Sequence, residues 1–338
     1  MKRVVRGVSV LLALVALLAG GAAGHWGFGV AQAAEPVTFR IGTAIPDYAY
    51  AFFTERPDIL KHYGKSYKIE WVKFTGSGGA LSAFAAKKVD LSIMTILPLI
   101  NAATKYRLDF KVIHSQQDHG VDGHFATTFM ARADSGVRRA EDLKGKIAGV
   151  NVRGGVLDLA LRIMLMKHGL KPDSDVTIVE GQFPHLGAMI RDKKIDLGSI
   201  IQPFYSREQK KGGLIDVFTT VDAFETAQPL SFRAAHGSVL KEHAAAVRDY
   251  VDDYLRTIAW GHDHREEAVR AYSKTWKIPE ETLMDYFLTK KDTLYRRDGV
   301  VDVTLLQKVV ETLVRTGFLK ESVDVSKYVD LSFLPAKR

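Results

Sequence analysis

The sequence predicts an α/β protein of two lobes followed by a helical C-terminal region. Three observations predict it. Two successive stretches, one from Val37 and one from Gly145, each read as strand, loop, helix, strand, loop, helix, strand. The third strand of both is announced by nearly the same words, Lys87-Lys88-Val89-Asp90-Leu91-Ser92 and Lys193-Lys194-Ile195-Asp196-Leu197-Gly198. Beyond about residue 240 the apolar residues recur almost wholly at helical spacing. Strands that alternate with helices imply right-handed crossovers and mainly parallel sheets.

The first 34 residues carry a separate message. Lys2, Arg3 and Arg6 precede an apolar run from Val8 to Leu18, and small residues end in Ala31-Gln32-Ala33-Ala34. That order reads as a secretion signal cut after Ala33 or Ala34, because the apolar run is shorter than the roughly 20 residues a membrane span requires. Without it the formal charge falls from +8 to +5, and the mature chain carries no run of five or six like charges. A nucleic-acid partner is therefore not expected, whereas a small anion fits the mild excess. The chain has no cysteine, which excludes disulfides, thiolate metal sites and Cys nucleophiles. About 300 mature residues suffice for two lobes, each with its own core. With no further apolar run of spanning length, the mature form is expected to be soluble and monomeric.

In chain order, Val37 to Gly42 alternates as a strand, 43–47 is a loop containing Pro46, and a helix is expected from about Tyr50 to Tyr63. Lys68 to Phe74 is the second strand and runs into Thr75-Gly76-Ser77-Gly78-Gly79. A helix carrying Leu81, Phe84 and Ala85 follows, then the strand Val89 to Thr95. The second unit repeats this with strand Gly145 to Val150, loop Asn151 to Gly155, and helix Leu157 to His168 closed by Gly169. Strand Asp175 to Glu180, loop Gly181 to Gly187 and a short helix Ala188 to Asp192 lead to the last strand. His124 to Ala131 and Leu230 to His236 read as paired hinge strands. The expected division is 1–34 signal, 35–125 first lobe, 126–235 second lobe, and 236–338 returning to the first. The return carries helices over Lys241–Trp260, His264–Trp276, Pro279–Leu288 and Asp302–Thr316.

Glu141-Asp142-Leu143-Lys144-Gly145-Lys146, the glycine loop and amphipathic helix after it, and the Asp196-Leu197 strand leading to Gln202-Pro203-Phe204 resemble the sulfonate/nitrate/taurine-type substrate-binding proteins of ABC importers. That superfamily also includes the thiamine-pyrimidine-precursor proteins. The resemblance covers essentially the whole mature chain. It implies a type II periplasmic-binding fold, a small anionic organic ligand captured by hinge closure, a permease and an ATPase as partners, and a periplasmic location. Two departures mark the chain: Asn151 to Gly155 lacks the Ser-Ser or Ser-Thr pair frequent in relatives, and Gln202 stands where many have Trp or an acidic residue. A pyrimidine-precursor enzyme on the same fold and a periplasmic sensor domain are the alternatives.

In parallel sheets, ligands sit beyond the carboxyl ends of the strands, where helix N-termini point N–H groups outward. The expected site in the first lobe is therefore Pro46 and Tyr48, the Gly76-Ser77-Gly78 turn, and Thr95. In the second it is Arg153 and Gly154, Gln182 and Phe183, and Gln202 and Phe204. Arg153 is expected to neutralise the ligand through a bidentate pair, and Ser77, Thr95, Gln182 and Gln202 to hydrogen-bond it. Tyr48 is expected to form an aromatic wall. His114, His119, His124, His262 and His264 lack ligand spacing and read as solvated loop residues. No G-x-S-x-G, H-E-x-x-H, P-loop or Rossmann pattern stands in the right place, so no catalytic residue, metal or cofactor is expected.

Overall fold

The computed structural model describes residues 35–44 and 46–336. The expected signal segment lies outside the described residues. Two five-stranded mixed sheets organise the rest. The first has the order β2-β1-β3-β10-β4 and the second β7-β6-β8-β5-β9. The first is built from β1 (Val37–Ala44), β2 (Tyr67–Phe74), β3 (Leu91–Met94), β4 (Phe110–His119) and β10 (Gln228–His236). The second is built from β5 (Thr128–Arg132), β6 (Ile147–Val150), β7 (Thr177–Glu180), β8 (Leu197–Ile200) and β9 (Leu214–Thr219). Position for position the two orders are the same plan. In each, a central strand pairs in parallel with two neighbours, and the remaining pairings are antiparallel. The sheets are thus mixed rather than mainly parallel, because β10 and β5 run against both their neighbours; the edge strands beyond them, β4 and β9, were not anticipated.

The repeated Lys-Lys-[Val/Ile]-Asp-Leu words do the same job twice. Lys87 and Lys193 both take the left-handed conformation, with φ of 55° and 60°. Val89 and Ile195 are buried. The next residue clasps the inner parallel strand just before the pairing begins: Asp90 Oδ2 accepts from Arg40 N at 2.8 Å while Asp90 N donates to Arg40 O, one residue ahead of the Ile41–Leu91 pair. In the second lobe Asp196 Oδ2 accepts from Ile147 N at 3.0 Å and Asp196 N donates to Ile147 O. An aspartate at that place satisfies a backbone donor that the ladder leaves free.

Helices follow each parallel strand. They are α1 (Tyr48–Glu55), α2 (Ser77–Ala85) and α3 (Ile96–Thr104) in the first lobe, and α4 (Val156–Lys167), α5 (Phe183–Arg191) and α6 (Phe204–Lys211) in the second. Helix α1 is shorter than expected because Pro57 disfavours helical backbone at Arg56 and opens a separate 3-10 turn, Pro57–Ile59. Helix α5 starts five residues early, with Pro184 in its first turn where the missing N–H costs nothing. After β9 comes α7 (Thr220–Phe224). The C-terminal region holds α8 (Gly237–Glu242), α9 (Ala244–Asp263), α10 (Arg265–Trp276), α11 (Glu280–Met284) and α12 (Val303–Arg315). None of the described helices is long and apolar enough to cross a membrane.

The chain passes to the second sheet between His119 and Thr128 and returns between Phe224 and Gln228. The return comes some ten residues before the one expected near 235. Leu230 to His236 is not a connector but part of a strand laid between β3 and β4. Between β4 and β5 the first crossing contains a 3-10 turn, Val121–Gly123, rather than the start of a strand. The two crossings touch: at Gly120, with φ of +68°, a Cβ would fall 2.3 Å from Val221 and 3.8 Å from Ala227. Nor are the two cores separate. One apolar cluster runs from Phe84, Leu99 and Phe110 through Leu306, Val309, Val310 and Leu313 of α12 to Phe129, Leu161 and Phe224 of the second lobe. Helix α12 thus seals the back of the hinge with side chains each worth about 1.5–3 kcal/mol when buried.

Candidate ligand cleft

Six helices begin directly after the carboxyl ends of the six parallel strands, three in each lobe. Helix α1 is capped by a side chain, Asp47 Oδ1 accepting from Tyr50 N at 2.8 Å. The N-caps of α2, α3, α4 and α5 (Gly76, Thr95, Gly155 and Gln182) make no side-chain cap bond, whereas in α6 the Ser206 N–H is taken by Gln202 Oε1. The first-turn N–H groups of α2 to α5 are therefore left for another partner at the positive end of the helix dipole, an arrangement suited to an anion.

In the first lobe the expected residues come together. Ser77 Oγ and Thr95 Oγ1 hydrogen-bond at 3.1 Å, joining the starts of α2 and α3. Gly76 and Gly78 have open space where a side chain would stand. Pro46 is exposed beside them in the chain's first strand-to-helix loop. Tyr48 departs from expectation. Its ring is buried, stacked on Phe52 at 4.3 Å and against Tyr295 at 4.8 Å, and its hydroxyl donates to Thr257 O at 2.8 Å. As first residue of α1 it turns into the core under α9 instead of lining the cleft.

The second lobe corrects the central expectation. Arg153 carries its guanidinium away from the helix starts: Nη1 donates to Ile178 O at 2.9 Å and Nη2 to Asp173 at 2.8 Å. Its backbone N–H donates to Glu180 Oε1 at 2.7 Å. Asp173, paired also with Arg162, is held below the usual carboxylate range, chiefly by its bond with Arg162 against the upward push of burial. Arg153 therefore belongs to an ion network along the edge strand β7. The Gly154 N–H is taken by Asp158 Oδ2 at 2.8 Å. Gln182 is exposed at the start of α5. Phe183 and Phe204 are half-buried against the apolar clusters, with Arg207 5.0 Å over the Phe204 ring. Gln202 is engaged on both ends of its amide, donating from Nε2 to Lys291 O at 2.8 Å and accepting at Oε1 from Ser206 N and Oγ.

Sequence reasoning missed the support beneath the first lobe's loop. Arg233 is fully buried, donates from Nη1 to Gly42 O at 2.8 Å, and sets Nη2 3.7 Å from Asp47 Oδ2, to which Gln116 also donates at 3.3 Å. It fixes both ends of the β1–α1 loop. The signal was an arginine in an otherwise apolar strand, Leu230 to His236. Lys73, near the end of β2, lies over the Tyr50 ring and donates to its hydroxyl at 2.7 Å, a cation close in sequence to Gly76. His114 and His119, expected in solvent, are buried in β4. His114 stacks on Tyr254 at 4.1 Å, and His119 Nδ1 lies 3.1 Å from Thr220 Oγ1. Elsewhere His62, Asp252 and Asp253 gather within 4.8 Å, but Asp253 already accepts from Lys61 N, His62 N, Tyr63 N and Tyr67 Oη, which makes the group a structural clasp.

The family model of the NMT1-like family matches residues 32–275. The chain belongs to the NMT1-like family. Among solved structures it is similar to the periplasmic aliphatic sulphonate binding protein SsuA from Escherichia coli, at 19% identity and a TM-score of 0.69, covering 90% of this chain and 95% of that one. The periplasmic nitrate-binding protein NrtA from Synechocystis PCC 6803 aligns at 14% identity and a TM-score of 0.66, covering 88% and 87%. The desulfurization enzyme DSZB aligns at 15% identity and a TM-score of 0.61, covering 88% and 97%. No curated protein matches the chain in sequence. At these identities the likeness establishes the periplasmic-binding fold, which serves both binding proteins and an enzyme.

Proposed function

We propose that this NMT1-like protein is the periplasmic solute-binding component of an ABC importer, exported by residues 1–34, and that it closes its two lobes on a small anionic organic molecule of the sulfonate type before delivering it to a permease and ATPase. The observation that carries the reading is the set of uncapped starts of α2, α3, α4 and α5 at the strand ends of both lobes, with the Ser77 and Thr95 hydroxyls joined among them. Such a site neutralises an anion with N–H dipoles and hydroxyls and needs no dedicated guanidinium. The fold's use in SsuA and NrtA, named as sulphonate- and nitrate-binding, supports the same ligand class. The test is calorimetric titration of variants. Ser77→Ala and Thr95→Val each lower affinity for the bound anion about tenfold, the worth of a charge-assisted hydrogen bond. Arg153→Ala, whose guanidinium is committed to Ile178 O and Asp173, keeps affinity within about twofold. The reverse pattern, with Arg153→Ala alone abolishing binding, refutes this site.

The likeness to DSZB favours a second reading, catalysis on the same fold. Release of inorganic sulfite from a sulfonate or sulfinate by the purified protein would establish it.

A further inference from the structure

The loop between α11 and α12 is bound to the first lobe and offers three consecutive carbonyls to what crosses it. Its anchor is Asp292, whose buried carboxylate accepts from Leu288 N at 3.1 Å and Thr293 N at 2.8 Å. Two residues on, Leu294 pairs with Asp118 at the end of β4, each N–H reaching the other's carbonyl. The neighbouring carbonyls then face the crossing segment. Phe125 N lies 3.0 Å from both Lys290 O and Asp292 O, and His124 Nδ1 donates to Asp292 O at 3.1 Å. The carbonyl between them, Lys291 O, takes Gln202 Nε2 from the second lobe. A second tie runs parallel to it, an ion pair between Lys210 on α6 and Asp285 just after α11.

Gln202 stands just before α6 and Lys210 in its last turn, so the two ties hold opposite ends of the helix. Their partners lie six residues apart on the first lobe. Ser206, one turn into α6, holds the Gln202 oxygen through both its N–H and its hydroxyl, which turns the amide nitrogen toward Lys291. An amide committed at both ends is not free to recognise a ligand.

We propose that Gln202 and Lys210 are positioning residues for ligand binding: they latch α6 of the second lobe to the 285–292 segment of the first, and set how often the ligand-free protein visits the closed form. This rests on the binding reading above. The latch acts on affinity without touching ligand, because apparent affinity scales with the fraction of molecules in the competent form.

The chain lacks cysteine, so Lys68→Cys in the first lobe and Lys144→Cys in the second, both exposed, give a unique pair for single-molecule energy transfer in residues 35–338. Gln202→Ala lowers the closed-to-open ratio of the ligand-free protein about fivefold, the worth of one neutral hydrogen bond. Lys210→Ala lowers it less, as an exposed ion pair should, and the double variant lowers it most. The dissociation constant for whichever anion stabilises the wild type rises by the same factor as the closed fraction falls. An inter-lobe distance distribution unchanged in the double variant overturns the latch whether or not any ligand is found. A raised dissociation constant with unchanged distances also overturns it, and returns Gln202 to the ligand contacts. Shifted distances with no anion bound uphold the latch and count against the binding reading alone.

Discussion

Lowering the pH from 6.5 to 5 weakens the fold, with a slope that climbs to about 1.4 kcal/mol per pH unit by pH 5, the worth of one net proton taken up on unfolding. Burial holds the His114 and His119 imidazoles down to about 3, with Arg233 adding to the effect at His114. Between 6.5 and 3 the unfolded chain protonates both rings and the folded chain neither, so stability present above 6.5 is lost as the pH falls. Asp292 acts in the other direction. Burial pushes its carboxyl up to about 7, against the Leu288 and Thr293 amides, so between 7 and 3.8 the folded state holds a proton the unfolded state has released. Two protons gained against one lost leaves one. His236 and His262, also lowered by burial, add to the loss, and Asp118, raised by burial, offsets part of it. Urea denaturation at pH 6.5 and 5 measures the slope, and His119→Gln should flatten it by about one proton's worth. A protein equally stable at the two pH values would show that these imidazoles are not buried neutral.

Replacing Glu208 by alanine removes the carboxylate that ties together the two helices carrying the Gln182 and Gln202 loops. The side chain is inaccessible to solvent and faces Arg191 Nε at 2.8 Å, Lys211 Nζ at 3.0 Å and Arg207 Nε at 3.2 Å. Burial pushes its pKa up, but Arg191 and Lys211 outweigh it and hold the group below its usual value. Gly187 makes room for it, since a Cβ there would fall 2.7 Å from the carboxyl carbon. Breaking a fully buried pair costs about 3–5 kcal/mol. Here the three cations are partly exposed and regain water, so Glu208→Ala should cost about 2–3 kcal/mol. The denaturation midpoint reads this directly. A loss under about 0.5 kcal/mol, ordinary for a surface change, would mean the carboxylate is not the tie it resembles.

What could be read from the sequence follows the range of each interaction. The aspartate after Lys-Lys-[Val/Ile] was legible as an echo because it serves the same backbone position, just ahead of the third strand's pairing, in both lobes. The Gly76-Ser77-Gly78 turn and Thr95 were legible because a strand end followed by a helix start is a local pattern. Strand β4 was not. Its buried Ser115, Gln116, Asp118 and His119 look like a polar loop until their partners are present, among them Arg296 for Asp118 and Thr220 for His119. Tyr48 could not be assigned a face from one helical residue. Arg153 was misread because a long flexible arm can reach in any direction, and Asp173, twenty residues on, decides which. Gln202 finds Lys291 across 89 residues, beyond any local signal.

The most direct test of the account is the thermal stability of residues 35–338 against a panel of aliphatic and aromatic sulfonates, taurine, nitrate, carboxylates and pyrimidines. One anionic class should raise the apparent stability by about 2.7 kcal/mol at a hundred times its dissociation constant, while neutral pyrimidines leave it unchanged. Stabilisation by a neutral pyrimidine alone, or a flat response to every anion from a folded protein, would contradict an anion-binding cleft.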